Sequence, residues 1–316
     1  MRCSTAAILA LVMHPDYRQR EGIMEEAMAM ATAHFRKQLD CTFIINMPVE
    51  NAQAILEPEI PRLIKTQRPS GTWKIKDNRR ISYGVLKALK HCGYLASLLE
   101  EGNFRRDPFQ SFCSDDDYYG FVVRRNIMES PSADDSSLQE QLASDIFTGQ
   151  AEDGSWNGTV ISTSNQMETL LELGIGADDE RIQKGADWLL SMCDDDVYRE
   201  SRNLGGFLVG HHMFSSQDRS AEFRSALAEK SEWNPVGLCY RHLPMIQTGY
   251  ALRTLIKLGL ENDERVMASC DNFLELRQTY GGWCDTNIRN GLVRTTAAQR
   301  KPEGEKAGKP EGQKVG

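Results

Sequence analysis

Apolar residues recur every three or four positions over most of the chain, in short runs punctuated by glycine turns, which predicts amphipathic helices joined by tight connections. Leu138, Leu142, Ile146 and Phe147 fall on one face of a helix expected to begin after Asp134-Asp135-Ser136, an N-capping cluster. Met167, Leu170, Leu171 and Leu173 form a second apolar face that stops at Gly174. Between them lies Gln150-Ala151-Glu152-Asp153-Gly154-Ser155-Trp156, which reads as the turn of a helical hairpin. Gly154 supplies backbone freedom at the bend, Asp153 and Ser155 bond to backbone groups freed there, and Trp156 offers a large apolar surface that pins the helices together.

The pattern recurs. Gln67-Arg68-Pro69-Ser70-Gly71-Thr72-Trp73 has the same spacing of Gln, Gly and Trp, and Arg277-Gln278-Thr279-Tyr280-Gly281-Gly282-Trp283 repeats Gly and Trp with the Gln moved by one. A fainter copy, Asn203-Leu204-Gly205-Gly206-Phe207, puts Phe in the Trp position. The intervening elements repeat as well. Leu170-Leu171-Glu172-Leu173-Gly174 followed by Asp179-Glu180-Arg181-Ile182 is echoed by Leu255-Ile256-Lys257-Leu258-Gly259 followed by Asp263-Glu264-Arg265-Val266. Each unit reads as helix, glycine stop, acidic cap, helix, Gly-aromatic turn.

The Q-x-x-D-G-S-W turn followed by an apolar helix ending in Leu-Gly resembles the repeat of the squalene–hopene cyclases and the protein prenyltransferase beta subunits. The resemblance extends over about residues 64–283. It implies an all-α fold, an α/α toroid of helical hairpins around an apolar cavity. It also implies that Trp73, Trp156 and Trp283 stitch adjacent hairpins rather than face a substrate.

The flanks are less regular. Ala6-Ala7-Ile8-Leu9-Ala10-Leu11-Val12-Met13 behind Arg2 has the look of a short signal segment, yet no small-residue cleavage site follows, and a buried helix is the better reading. Residues 23–37 predict a helix with Met24, Ala27, Met28, Ala31 and Phe35 on one face. Phe43-Ile44-Ile45-Asn46-Met47-Pro48 fits a strand or a connector. A helix from about Val49 would carry Ala52, Ile55 and Leu56, and Pro61 would open a short outer helix. Tyr83, Val85, Leu86, Leu89 and Leu95 suggest one inner helix, and from Asn103 to Ser136 the periodicity fails. The stretch 295–316, rich in Lys, Glu, Gly and Pro, has a composition that builds no packed core. The expected organisation is therefore a toroid domain over 1–294, a partial ring lacking its last hairpin, and a disordered tail over 295–316.

A chain of 316 residues, 40% of them hydrophobic, suffices for one large core. Its formal net charge of -8 argues against a nucleic-acid partner. The eight cysteines are scattered with no C-x-x-C, as in reduced thiols of a cytoplasmic protein. No run is long enough to span a bilayer, which leaves at most a peripheral membrane association.

Candidate chemistry falls in three places. Lys74, Lys76, Arg79 and Arg80 are cations that could meet a diphosphate, against the alternative of a solvated loop. Set against the D-x-D-D acid motif of the protonating cyclases, Ser114-Asp115-Asp116-Asp117 has Ser and Cys193-Asp194-Asp195-Asp196 has Cys in the first position, so neither matches. Asp116 would carry over as the acid, with helix capping as the competing role. Cys239-Tyr240 matches half of the D-x-C-Y zinc motif of the prenyltransferase subunits, with Gly237 in place of the Asp. Cys239, His242 and Asp285 are the metal candidates, and zinc the cofactor they would suit. Tyr83, Tyr240 and Tyr250, with Arg79 and Arg80, are the substrate-binding candidates.

The expected function is that of an isoprenoid-class enzyme of the terpene cyclase or prenyltransferase type, holding a prenyl or triterpene-like substrate in a central apolar cavity. Two alternatives stand beside it: a non-catalytic toroid scaffold that binds an apolar ligand, or a protein partner that closes the incomplete ring, and a helical-ring polysaccharide lyase or hydrolase.

Overall fold

The computed structural model describes residues 2–74, 78–113, 116–193 and 236–276. Among them the structure is all-α: helices joined by 3-10 turns and loops, with one isolated bridge between Gln150 and Trp156. The helices are α1 (Arg2–Met13), α2 (Ile23–Gln38), α3 (Val49–Leu56), α4 (Ile60–Thr66), α5 (Asn78–His91), α6 (Tyr94–Glu100), α7 (Tyr118–Asn126), α8 (Asp135–Phe147), α9 (Val160–Leu173), α10 (Glu180–Cys193), α11 (Val236–Lys257) and α12 (Glu264–Leu276). The chain divides into a compact unit, Met1–Cys284, to which all of these belong, and a second, Asp285–Gly316, outside the described residues.

The apolar N-terminal run becomes α1, whose Ala7 to Val12 are buried on every side, as expected of a helix without a polar face. It packs along α11 and against α2 and α12. The Phe43–Met47 stretch resolves as a connector, with a 3-10 turn over Ile44–Asn46. Glycine and proline set the boundaries nearby. The expected long inner helix breaks at Cys92-Gly93, where Gly93 takes a φ of 76°, so Leu95 belongs to α6 and not to α5.

The Gln-Gly-Trp turns are built alike. Trp73 Nε1 donates to the Leu63 carbonyl at 2.9 Å and its backbone N–H to Ser82 Oγ at 3.2 Å. Trp156 repeats both, to the Ile146 carbonyl at 2.8 Å and Thr163 Oγ1 at 2.9 Å. Gln67 Nε2 donates to Gly71 O and Arg106 O, and Gln150 Nε2 to Gly154 O and Arg181 O. Each Gln thus ties its own turn to the next outer segment. Gly71 and Gly154 have φ of 79° and 93°, and a Cβ would overlap the carbonyl of Asp107 at the first and of Lys184 at the second. Left-handed backbone and close approach together demand glycine. The outer caps match as well: Asp179 receives the backbone N–H and guanidinium of Arg181, as Asp263 does from Arg265. The third turn, 277–283, lies outside the described residues.

The aperiodic region holds an unforeseen helix. Asp117 Oδ1 accepts the Gly120 N–H at 2.9 Å and starts α7, which buries Phe121, Val122 and Val123. Arg124 is buried there too, paired with Asp135 at 2.5 Å; their side chains are 9% and 6% exposed. Asp135 therefore anchors α8 to α7. The expected capping cluster does not cap by side chain: Asp134, at the N-cap of α8, makes no side-chain cap bond.

Candidate functional site

A cavity of about 370 Å³ opens between the segment that ends α2 and the outward face of α5. Leu39, Asp40, Cys41 and Ile45 form one wall; Arg80, Ile81, Tyr83, Gly84 and Lys87 form the other, with Lys74 and Glu172 at its margins. Helical spacing explains the second wall, since residues 80, 84 and 87 recur on one face. The first wall exists because Leu39 reverses the chain at the end of α2 with a φ of 56°, a left-handed conformation that costs an L-residue roughly 1–2 kcal/mol. Asp40 then fixes the loop by accepting from the Thr42 N–H at 3.0 Å and Thr42 Oγ1 at 2.6 Å. Gly84 faces Cys41 with room to spare: a Cβ would lie 3.8 Å from the Cys41 Cβ, ordinary contact.

The lining is mixed rather than apolar. At one end Lys87 pairs with Glu172, whose other oxygen accepts the Tyr118 hydroxyl. Tyr83 is 6% exposed, and its hydroxyl is sealed from solvent beside Asn126 and Glu172, close enough for both to act on it but without a hydrogen bond of good geometry to either. Glu172 stands near it but is engaged by Lys87 and Tyr118, and Asn126 near it donates its amide to the Glu172 carbonyl at 2.9 Å. Burial, and then the charge of Glu172, push the Tyr83 hydroxyl well above the usual tyrosine range, so it remains a proton donor at neutral pH. At the other end Lys74 and exposed Arg80 form no ion pair with a described residue.

Charge continues past the cavity along α9. Glu168, one turn before Glu172, meets Arg253 Nε at 2.5 Å and Lys257 Nζ at 2.6 Å from α11, and accepts from Thr254 Oγ1 at 3.1 Å. Burial alone would raise the Glu168 carboxyl, but Arg253 and Lys257 more than offset it and hold it low. Burial pushes Lys257 down despite Glu168.

The sequence candidates separate. Tyr83 and Arg80 line the cavity. Arg79 turns away: it forks onto Asp117, with its Nη2 2.9 Å from Oδ1, and lies over the rings of Phe112 and Tyr119. Tyr250 is half-buried beneath the Arg253 guanidinium, 4.7 Å from its ring centroid, away from the cavity lining. Asp116 is 88% exposed and 4.0 Å from Arg124, a solvated carboxylate facing a cation. That is the opposite of the crowded, dry setting a protonating acid requires. The capping alternative is realised next door by Asp117. Cys239, Tyr240 and His242 fall in the first part of α11, where the side chains lie outside what is described, and Asp285 lies outside the described residues. Among the described residues no group of His, Cys, Asp and Glu could hold a metal ion.

Sequence reasoning passed over Asp40, Cys41, Lys87 and Glu172. One signal was available: the twin repeats carry opposite charges at equivalent positions, Glu168 against Arg253 and Glu172 against Lys257, counting back from Gly174 and Gly259. Reversed charge at matching positions of neighbouring hairpins marks a polar seam where an apolar wall was expected. No family model, curated protein or solved structure matches this chain.

Proposed function

We propose that the cavity binds a short prenyl ligand with an anionic head, and that the unit is an α/α toroid of the isoprenoid-processing kind. One observation carries the ligand: Lys74 and Arg80, without described ion-pair partners, line a cavity whose walls also include Leu39, Cys41, Ile45, Ile81 and Gly84. The cations meet a diphosphate, and the apolar lining takes a hydrocarbon chain. Size supports a prenyl chain over a triterpene. A cavity of roughly 150 Å³ takes one benzene, so this one takes on the order of fifteen ligand atoms, half of what a triterpene needs.

The repeated turns support the toroid, as does the order of packing, in which α5 meets α7, α7 meets α9, α9 meets α11 and α11 returns to α1. No described helix is long and apolar enough to cross a membrane, and buried thiols at Cys41 and Cys92 support a reducing, cytoplasmic setting.

Calorimetric titration with geranyl diphosphate tests the reading. Saturable binding is expected, abolished by Gly84→Leu, which fills the cavity, and weakened by Arg80→Ala. No heat of binding to the native protein would sink it. Binding without turnover is the second reading, favoured by Asp116 standing in solvent. Recovery of unchanged ligand after long incubation is its signature.

A further inference from the structure

The two Gln-Gly-Trp turns share a backbone but differ at the tip. In the second, Asp153 Oδ1 accepts the Ser155 N–H at 2.9 Å and the Ser155 hydroxyl at 2.7 Å, so one carboxylate satisfies two donors. Counting back from Trp73 and Trp156, Ser70 stands where Asp153 does, and Thr72 where Ser155 does. Ser70 Oγ lies 2.8 Å from Thr72 Oγ1, so two hydroxyls share one bond, and the N–H of fully buried Thr72 donates to no described residue. Charge differs in the same sense. Residues 67–73 carry one cation, Arg68, and no acid, whereas residues 150–156 carry two acids, Glu152 and Asp153, and no cation. The segment that Gln67 holds adds Arg105 and Arg106, and the Arg105 guanidinium donates to the Lys65 carbonyl at 2.8 Å. Asp107, the acid of that segment, is turned to the Phe109 N–H.

We propose that Ser70 is a phosphorylation site, and that its phosphate supplies the anion that the twin turn has built in as Asp153. Pro69 and Ser70 are exposed at the tip of the turn while Thr72 is buried, so Ser70 is the hydroxyl within reach of a kinase. Its place two residues after Arg68 suits a kinase that selects a basic residue there. In the transfer, Ser70 Oγ bonds to the terminal phosphorus of a nucleoside triphosphate as the bond from that phosphorus to its bridging oxygen breaks; the hydroxyl proton passes to the kinase's base and the nucleoside diphosphate leaves. The product carries a charge of about -1.5 to -2 and three acceptor oxygens, tethered beside Thr72 on a turn rich in arginine, the setting in which a phosphate orders a loop. This holds whatever the cavity binds.

The test incubates native protein with magnesium-ATP and a serine kinase that selects arginine two positions before its target, and maps the product by peptide mass spectrometry. A second sample carries phosphoserine placed at position 70 during synthesis. Phosphate is expected at Ser70 in native protein and at no neighbouring residue in Ser70→Ala. The melting temperature of the phosphoserine protein should rise by about 2–4 °C. No phosphate at Ser70 overturns the modification site. A melting temperature unchanged or lowered by phosphoserine overturns the likeness to Asp153, and this second sample is decisive without the kinase.

Discussion

The Trp156 indole works in two ways, filling the space between the end of α8 and Gly185 of α10 at 2% exposure and donating to the Ile146 carbonyl. Trp156→Ala is expected to cost about 3–5 kcal/mol, read as a lower denaturant midpoint. Trp156→Phe keeps most of the apolar volume but strands the carbonyl, so it should fall between the two, about 1–3 kcal/mol below native. The Arg124–Asp135 pair makes a different demand. Its charges are nearly dry, so Asp135→Asn removes the nearest of the carboxylates facing the Arg124 guanidinium, Asp116 at 4.0 Å being the other among the described residues, and is expected to cost about 1.5–3 kcal/mol. The same pair predicts a pH dependence. Arg124's hydrogen bonds hold the Asp135 carboxyl below its ordinary value against the opposing effect of burial, with Ser132 contributing. A carboxylate with a lowered folded pKa binds fewer protons folded than unfolded, so its stabilisation is full above roughly pH 4 and is lost as pH falls further. Urea melts from pH 6 downwards should show that decline, and Asp135→Asn should flatten it.

Among the elements, those whose order comes from local repetition were legible. The turns at Gly71 and Gly154 could be read because Gln, Gly and Trp each have a separate physical task at fixed spacing, and two copies calibrate each other. What the spacing did not carry was the reach of the Gln to the next segment, to Arg106 O or Arg181 O, since those carbonyls are 39 and 31 residues away. Gln150→Ala leaves the turn's own backbone intact but drops two bonds, and Gln67→Ala drops three, the third being the Arg106 N–H to Gln67 Oε1 at 3.0 Å. Each should cost about 1–3 kcal/mol in chemical denaturation, with Gln67→Ala the larger. A null effect at one and not the other would mean that the two turns are not equivalent. Helix α7 escaped notice because its apolar residues, Phe121 to Val123, run consecutively without a helical period, and its burial depends on α8 and α9. The cavity wall at residues 39–45 escaped for a related reason: an irregular connector has no period, and the left-handed Leu39 has no sequence signal where Gly or Asn would have supplied one.

At the scale of the whole molecule, the N-terminal segment does what no local pattern announces, because its partners lie near the other end of the described chain. The Tyr17 hydroxyl donates to Asp271 Oδ1 at 2.7 Å on α12, and His14 Nε2 lies 3.0 Å from the Glu261 carbonyl. Between these bonds and the start of the chain, α1 lies so close to α11 that a Cβ on Gly249 would come within 2.7 Å of the Ala6 backbone. This approach lets one helix bury all its faces, since α11 supplies the wall that α2 and α12 cannot reach. The long separation also makes this contact costly in loop-closure entropy, which comes due before any of its burial is gained. Gly249→Leu should therefore separate α1 from α11 without touching either Gln-Gly-Trp turn. A loss of about 1–3 kcal/mol or more is expected from overpacking. Hydrogen exchange should quicken in residues 5–13 and 246–257, while the amides around Gly71 and Gly154 keep their protection. Uniform loss of protection would mean that the α1–α11 contact is integral to every hairpin; no loss would mean that the helices yield freely, and that the first helix is not what holds the last ones in place.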